Sequence, residues 1–107
     1  PYRILSRLVE RASELPFGDY VADRFAPALG LASLRMCEPG APDHARGYLS
    51  DKASFRPEAA YSIRGLLGEG GLCATAADLA RLPVALVGSG WLTGTSLGRM
   101  TAPTMLN

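Results

Sequence analysis

Apolar residues recur at helical spacing at the start of the chain. From Tyr2 to Ser13 they return every three or four positions, while arginine and glutamate side chains occupy most of the other face. The apolar positions are Ile4, Leu5, Leu8, Val9 and Ala12. This period predicts an amphipathic helix. Pro16 disfavours helical geometry in the residue before it, so the helix is expected to end ahead of that proline.

A second, shorter helix is predicted just after this break. It begins at Phe17 or Gly18, carries Val21 and Phe25 on its buried side and ends near Pro27. An apolar turn over residues 28–31 is expected to close this first part of the chain.

Regular periodicity then fades from about Ser33 to Arg64, where prolines and glycines interrupt a polar stretch. Connections of this length are uncommon in compact domains and are usually functional loops or lids. A long irregular loop is therefore predicted. A short hairpin within it pairs residues 48–49 with residues 54–55.

A glycine turn leads into the next helix. Gly68, Gly70 and Gly71 allow positive φ angles or a close approach of the backbone to another group. Thr75 followed by Asp78 has the form of a helix N-cap with an acidic residue in the first turn, so a helix is predicted from Ala76.

The apolar face of this helix is expected to carry Leu79, Leu82, Leu86 and Val87, with Asp78 and Arg81 outside. Pro83 removes one backbone donor and predicts a kink or an early end. A last short helix is expected to follow, capped by Thr95.

Composition and charge limit the classes of protein to which the chain can belong. The chain has 107 residues, of which 48% are hydrophobic and 20% charged, so a single ordered domain is the upper limit. Its net charge is +1 and its arginines are scattered, so no basic patch for binding nucleic acid is expected. No apolar run reaches the roughly 20 residues of a membrane span. Because the chain opens on Pro1-Tyr2 and almost at once enters a helix, it is expected to be part of a longer protein.

Two cysteines leave three alternatives open. Cys37 and Cys73 can form one disulfide, but two separate reduced thiols, acting as small apolar residues, are the favoured interpretation. Together with His44 they also permit a metal site, yet their spacing matches no zinc pattern and a fourth ligand is not evident. No metal or cofactor is therefore expected, and His44 is expected to be exposed.

Several motifs, read in order, resemble the serine beta-lactamase-like superfamily of class C beta-lactamases, DD-peptidases and esterases. Residues 2–17 resemble the helix after its Tyr-x-Asn motif, residues 25–31 its "Ile-x-x-Pro-Leu-Gly-Met", and residues 45–48 its "Ala-x-Gly-Tyr". Residues 74–81 are similar to its "Ser-Thr-x-x-Asp-Leu-Ala-Arg" helix, and residues 86–100 to its "Leu-Leu-x-Gly-Gly-x-Leu-Ser" region. Departures are Glu14 in place of glycine, an inserted Ala28, and Pro83 in place of an aromatic residue.

The resemblance implies a fold and an organisation. The chain is expected to be mainly α, the helical lobe of the family's α+β fold with a long irregular loop. Residues 1–32 would form two helices, residues 33–67 a long cleft-lining loop, and residues 68–107 the glycine turn and two further helices.

The resemblance also implies acyl transfer through a serine acyl-enzyme on a beta-lactam, a peptidoglycan peptide or an ester, in a periplasmic or secreted protein. The catalytic motifs themselves are absent. Lys52 is the only lysine and no Ser-x-x-Lys precedes it, while Tyr-x-Asn does not occur. Thr93-Gly94-Thr95 mimics Lys-Thr-Gly but lacks its cation. No catalytic residue is therefore expected in this chain.

The expected contribution is one wall of the substrate cleft. Glu69, Gly70 and Gly71 are expected to face it, with Tyr61 and Arg64 behind them. The alternatives are a solvated loop carboxylate at Glu69 and turn geometry alone at the two glycines. The partner is then the remainder of the hydrolase domain, or a second copy bound through apolar helix faces. A free-standing helical interaction module or a catalytically dead homologue is the rival hypothesis.

Overall fold

The computed structural model describes residues 1–38, 40–51, 54–58 and 66–103. The helices are α1 (Tyr2–Ser13), α2 (Phe17–Tyr20), a π-helical segment (Val21–Phe25), α3 (Ala26–Ala28), α4 (Ala76–Gly88) and α5 (Gly94–Thr101). The strands are β1 (Arg35–Met36), β2 (Tyr48–Asp51), β3 (Ser54–Pro57) and β4 (Leu72–Cys73).

Helix α1 has the predicted limits. It ends on Glu14, which adopts a left-handed conformation with φ 59° and donates its backbone N–H to the Glu10 carbonyl. Glycine is the usual residue at such a position because it has no Cβ penalty there. Glu14, which departs from the family pattern, therefore occupies a position whose backbone conformation favours glycine.

The Glu10 side chain joins α1 to the next helix. Its Oε1 accepts the backbone N–H of Phe17 at 3.0 Å, and its Oε2 pairs with Arg7 at 2.6 Å. The Phe17 N–H is one of the donors that a helix N-terminus leaves unsatisfied, so a carboxylate is favourable at this point. Both contacts lower the pKa of Glu10, and the hydrogen bond from Phe17 has the larger effect.

The predicted second helix is present, but it is not regular. Helices α2 and α3 flank the π-helical segment, so that the helical stretch runs from Phe17 to Ala28. The hydrophobic core forms on this stretch and on the turn after it: its buried members are Val21, Ala26, Leu29, Leu31 and Leu34. Helix α4 packs on this cluster through Leu82, Ala85 and Leu86. The ring of Phe25 meets Trp91 edge to face, with the centroids 5.1 Å apart.

Two small antiparallel sheets lie within and beside the long loop. Strands β1 and β4 pair with Arg35 opposite Cys73 and Met36 opposite Leu72. Strands β2 and β3 pair with Tyr48 opposite Pro57 and Asp51 opposite Ser54. The second sheet confirms that a hairpin is present, but the predicted pairing of residues 48–49 with residues 54–55 is wrong, because residues 48–49 lie opposite residues 56–57. The connecting residues 52–53 lie outside the described part of the chain.

Helix α4 begins where it was predicted. The Thr75 side chain accepts the backbone N–H of Asp78 at 3.3 Å, which is the expected N-cap bond. Of the kink or early end expected at Pro83, the early end is wrong, because the helix continues through that proline to Gly88. The expected cap of the last helix is also wrong: Thr93 rather than Thr95 accepts the Ser96 N–H, and α5 begins at Gly94.

The described residues form an α+β structure, 48% helical, with two short sheets. None of the helices in this part of the chain combines the length and the hydrophobicity that a membrane span needs.

Candidate functional site

The glycine turn packs directly on helix α1. Gly68 has φ +82°, and a Cβ built on it would lie 2.4 Å from the backbone carbonyl oxygen of Tyr2 and 3.0 Å from the Cβ of Ser6. Ser6 is 2% exposed, and its hydroxyl donates to the Arg3 carbonyl at 2.9 Å and lies 3.3 Å from the Leu67 carbonyl. Both a positive φ and a close backbone approach therefore require glycine at this position.

The expected cleft residues divide into two groups. Glu69 and Gly70 are exposed at the tip of the turn, and their backbone N–H groups both donate to the Leu66 carbonyl. Gly71 is half-buried with φ 81°, and its carbonyl accepts the Cys37 N–H at 2.8 Å. Tyr61 and Arg64 lie outside the described residues.

The beginning of the long loop is fastened to helix α4. Oδ2 of Asp78 accepts the backbone N–H of Ser33 at 2.8 Å and its hydroxyl at 2.6 Å. The Ser33 oxygen in turn accepts the Thr75 N–H at 2.9 Å. Asp78 is 5% exposed, so the expectation that it points outward as a first-turn charge is wrong. Its side chain turns inward because Ser33 supplies two donors that satisfy the buried carboxylate.

These contacts also decide what Asp78 can do chemically. The hydrogen bond from the Ser33 hydroxyl, and then that from its amide, lowers the pKa of Asp78 below its ordinary value, against the opposing effect of desolvation. Arg81, 3.4 Å away, acts in the same direction. A carboxylate held below its ordinary pKa is a weak base, because general bases work best near the operating pH. The Ser33–Asp78 pair is therefore an anchor rather than a nucleophile with its base.

The anchor should appear in the acid stability of the protein. Because the folded-state pKa of Asp78 is lowered, its stabilising contribution is complete above the unfolded-state pKa and is lost as the pH falls through the folded-state value. We expect the melting-temperature gap between wild type and Asp78→Asn to be largest above about pH 5 and to shrink below it. Thermal melts across this range measure the gap, and a constant gap contradicts the assignment. Ser33→Ala, which removes one donor to the carboxylate, should reduce the same pH dependence.

The two cysteines form a disulfide with Cα atoms 5.1 Å apart, so the favoured interpretation of two separate thiols is wrong. They meet because Cys73 ends β4 and Cys37 follows β1, its pairing partner. His44 lies beside them, and it is half-buried rather than exposed as expected. Spacing along the chain could not indicate this grouping, since 36 positions separate the cysteines.

A shallow apolar depression of about 470 Å³ lies between the core helices and the turn after them. Its lining residues are Ala22, Ala26, Pro27, Gly30, Leu31, Ala32, Leu34 and Arg35. Of the expected cleft residues that the structure describes, Glu69, Gly70 and Gly71, none lines it.

Sequence reasoning missed the residues that hold the loop in place. Ser6 occupies a polar position of a helix whose pattern indicates only an exposed face there, and Ser33 lies where periodicity has already faded. One signal was present for Gly68, which is the first of three glycines in four positions.

Comparison with known proteins gives one match. The family model described as Beta-lactamase matches residues 2–107, which is nearly the whole chain. No curated protein and no solved structure matches the chain. The motif resemblance and the family match agree, and the chain belongs to the beta-lactamase family, within the superfamily of serine beta-lactamases and penicillin-binding proteins.

Proposed function

We propose that this chain forms one wall of the substrate cleft in a serine beta-lactamase-like hydrolase. The reaction is acyl transfer through a serine acyl-enzyme, with a beta-lactam, a peptidoglycan peptide or an ester as substrate. The nucleophile, its lysine base and the oxyanion-binding backbone belong to the remainder of the hydrolase domain. Glu69, Gly70 and Gly71 face the cleft in this proposal, with Tyr61 and Arg64 behind them.

The sequence supports the division of labour. Serine is activated in this chemistry by an adjacent base, and Lys52 is the only lysine of the chain, without a serine three positions before it. Ser33 does contact a carboxylate, that of Asp78, but this carboxylate is a weak base and not an activating one.

The observation that carries the proposal is the apolar surface that the chain leaves uncovered. On α1 the side chains of Tyr2, Ile4, Leu5 and Leu8 are between 54% and 67% exposed. On α4 those of Leu79, Val84 and Val87 are between 55% and 74% exposed. Exposed apolar patches mark interaction surfaces, and two helices of one family segment that expose large apolar side chains fit packing against the rest of that domain.

The packing of the turn supports a role in the cleft wall. The glycine turn is held on α1 through Gly68 and Ser6, and it is joined to the start of the long loop through the bond between Gly71 and Cys37. Its tip, Glu69 and Gly70, is exposed. A rigid base with an exposed tip is the arrangement that positions a loop against a bound substrate.

Acylation tests the proposal. The chain, and the longer protein encoded around it, are incubated with a fluorophosphonate and with a penicillin-type probe, and intact masses are measured. We expect a covalent adduct on the longer protein and none on the 107 residues. An adduct on the isolated chain overturns the proposal, because it requires a nucleophile within the chain.

A second measurement separates the rival hypotheses. If the longer protein carries no Ser-x-x-Lys and is not acylated, the chain is an interaction module or a catalytically dead homologue. Sedimentation of the chain alone then tests self-association through the uncovered face of α1. A wild-type dimer that Ile4→Glu makes monomeric indicates self-association, whereas a wild-type monomer leaves this face for the remainder of the domain.

A further inference from the structure

Three metal-ligating side chains converge beside the β1–β4 sheet. The sulfur atoms of Cys37 and Cys73 and an imidazole nitrogen of His44 all lie within 4.8 Å of one another. In a tetrahedral zinc site with two sulfurs and one nitrogen, the ligand atoms are about 3.5–3.8 Å apart. Once the disulfide is opened, small side-chain rotations would therefore bring the three atoms to the separations that the metal requires.

The backbone holds the two cysteines together independently of their disulfide. Cys73 pairs with Arg35 across the β1–β4 ladder, and the Cys37 N–H donates to the Gly71 carbonyl at 2.8 Å. Reduction removes neither contact. The two thiols therefore remain side by side, one at the end of β4 and the other directly after β1.

His44 is held in the same place by a separate set of contacts. The backbone N–H of Ala41 donates to the Glu38 carbonyl and that of His44 to the Ala41 carbonyl, so two successive turns lead back from Cys37 to the histidine. Asp43, the residue before it, pairs with Arg35 of β1 at 2.6 Å. The loop that carries His44 is thus tied to the strand that precedes Cys37.

The imidazole has an unused nitrogen. Nε2 of His44 is shielded from solvent and has no hydrogen-bond partner among the described residues. Buried polar atoms normally have a partner, so one without any calls for an explanation such as an ion. Neutral imidazole nitrogen is the commonest metal ligand among side chains.

We propose that, in the reduced protein, Cys37, Cys73 and His44 bind a Zn²⁺ ion, and that the disulfide is the metal-free form of the same site. A dithiol reductant opens the disulfide: it supplies two electrons and two protons, is itself oxidised to a disulfide, and leaves two thiols. Zinc binding then displaces the two thiol protons to solvent. Two thiolates balance the charge of the ion, and the fourth coordination position is left to water or an exogenous ligand.

The choice of zinc follows from the donor set. Two thiolates and one imidazole suit a borderline-soft ion that accepts tetrahedral geometry, whereas calcium and magnesium require oxygen ligands. The site is independent of acyl transfer, and its metal would tie the long loop to the glycine turn in conditions that reduce the disulfide.

Cobalt serves as the spectroscopic probe for the test. The chain is reduced with a phosphine, which is oxidised to its oxide with oxygen from water, and is then titrated with Co²⁺ without oxygen. We expect thiolate-to-cobalt charge-transfer absorption and the intense d–d bands of a tetrahedral site, with displacement by Zn²⁺. The oxidised protein should show none of these.

Two variants keep the proposal falsifiable. His44→Gln should weaken Zn²⁺ binding by at least about 10-fold, because even outer-sphere partners of a metal ligand are worth that much. The double variant Cys37→Ala/Cys73→Ala should abolish the charge-transfer absorption. Equal Zn²⁺ affinity of reduced wild type and His44→Gln overturns the three-ligand site, and so does the absence of cobalt–thiolate absorption in reduced wild type. If reduction unfolds the chain, zinc should restore its circular dichroism in wild type and fail to do so at the same concentration in His44→Gln.

Discussion

Replacing Gly68 by alanine is expected to destabilise the protein by about 3 kcal/mol or more. A left-handed backbone costs a non-glycine residue about 1–2 kcal/mol, and the new Cβ would also lie 2.4 Å from the Tyr2 carbonyl oxygen. That oxygen belongs to the backbone of α1, so relief requires the turn and the helix to separate, at a cost of about 1–3 kcal/mol typical of overpacking. The melting temperature should fall by about 12 °C or more.

Gly70→Ala is the matched control. Among the described residues, a Cβ at Gly70 meets only Leu66, at 3.9 Å, which is ordinary van der Waals contact, and the φ of Gly70 is not in the left-handed region. Its melting temperature should be unchanged or slightly higher, since alanine restricts the unfolded chain. Equal stability of the two variants contradicts the packing of the turn on α1. Soluble yield and circular dichroism melts are the measurements.

Removing the disulfide is expected to cost about 4 kcal/mol of the free energy of unfolding. The bond between Cys37 and Cys73 closes a loop with a sequence separation of 36, and the chain-entropy treatment assigns about that value to a loop of this length. For a domain whose total stability is about 5–15 kcal/mol, this is a large share. Urea unfolding of Cys37→Ala/Cys73→Ala, with a chelator present, measures it.

Reduced wild type provides the internal comparison for this prediction. It retains both side chains and lacks only the covalent bond, so in chelator it should unfold at nearly the same urea concentration as the double variant. A double variant within about 1 kcal/mol of the oxidised protein contradicts the expected stabilisation by this bond.

What the sequence predicted well depends on neighbours along the chain. The limits of α1, the Thr75 cap and the presence of a hairpin rest on periodicity and on contacts within a few positions, and all three are confirmed. The pairing within the hairpin was placed two residues off on its second strand. The last cap was placed two residues late because Thr93 and Thr95 offer the same hydroxyl. Local chemistry does not choose between two equivalent threonines.

What the sequence could not predict depends on residues far apart in the chain. Asp78 was expected outside because a first-turn carboxylate is favourable at a helix N-terminus whether exposed or buried. The Asp78 carboxylate can be buried because Ser33, 45 positions earlier in the chain, donates hydrogen bonds to it. The pairing of Cys37 with Cys73 similarly requires β1 and β4 to be adjacent. Strands of two residues are too short to show an alternation of apolar and polar residues in the sequence, so neither strand could be predicted.

The bond between Cys37 and Cys73 also changes the connectivity of the molecule. With it, the segment between the two cysteines is a covalently closed ring attached to two tails, each of which carries helices. A protease that cuts once inside the ring, after Arg46 for example, opens the ring but leaves both tails in one molecule. Such a nicked protein keeps its mass apart from one added water and separates into two pieces only when it is reduced. The ring can therefore be opened or lengthened without the two helical parts losing their covalent link.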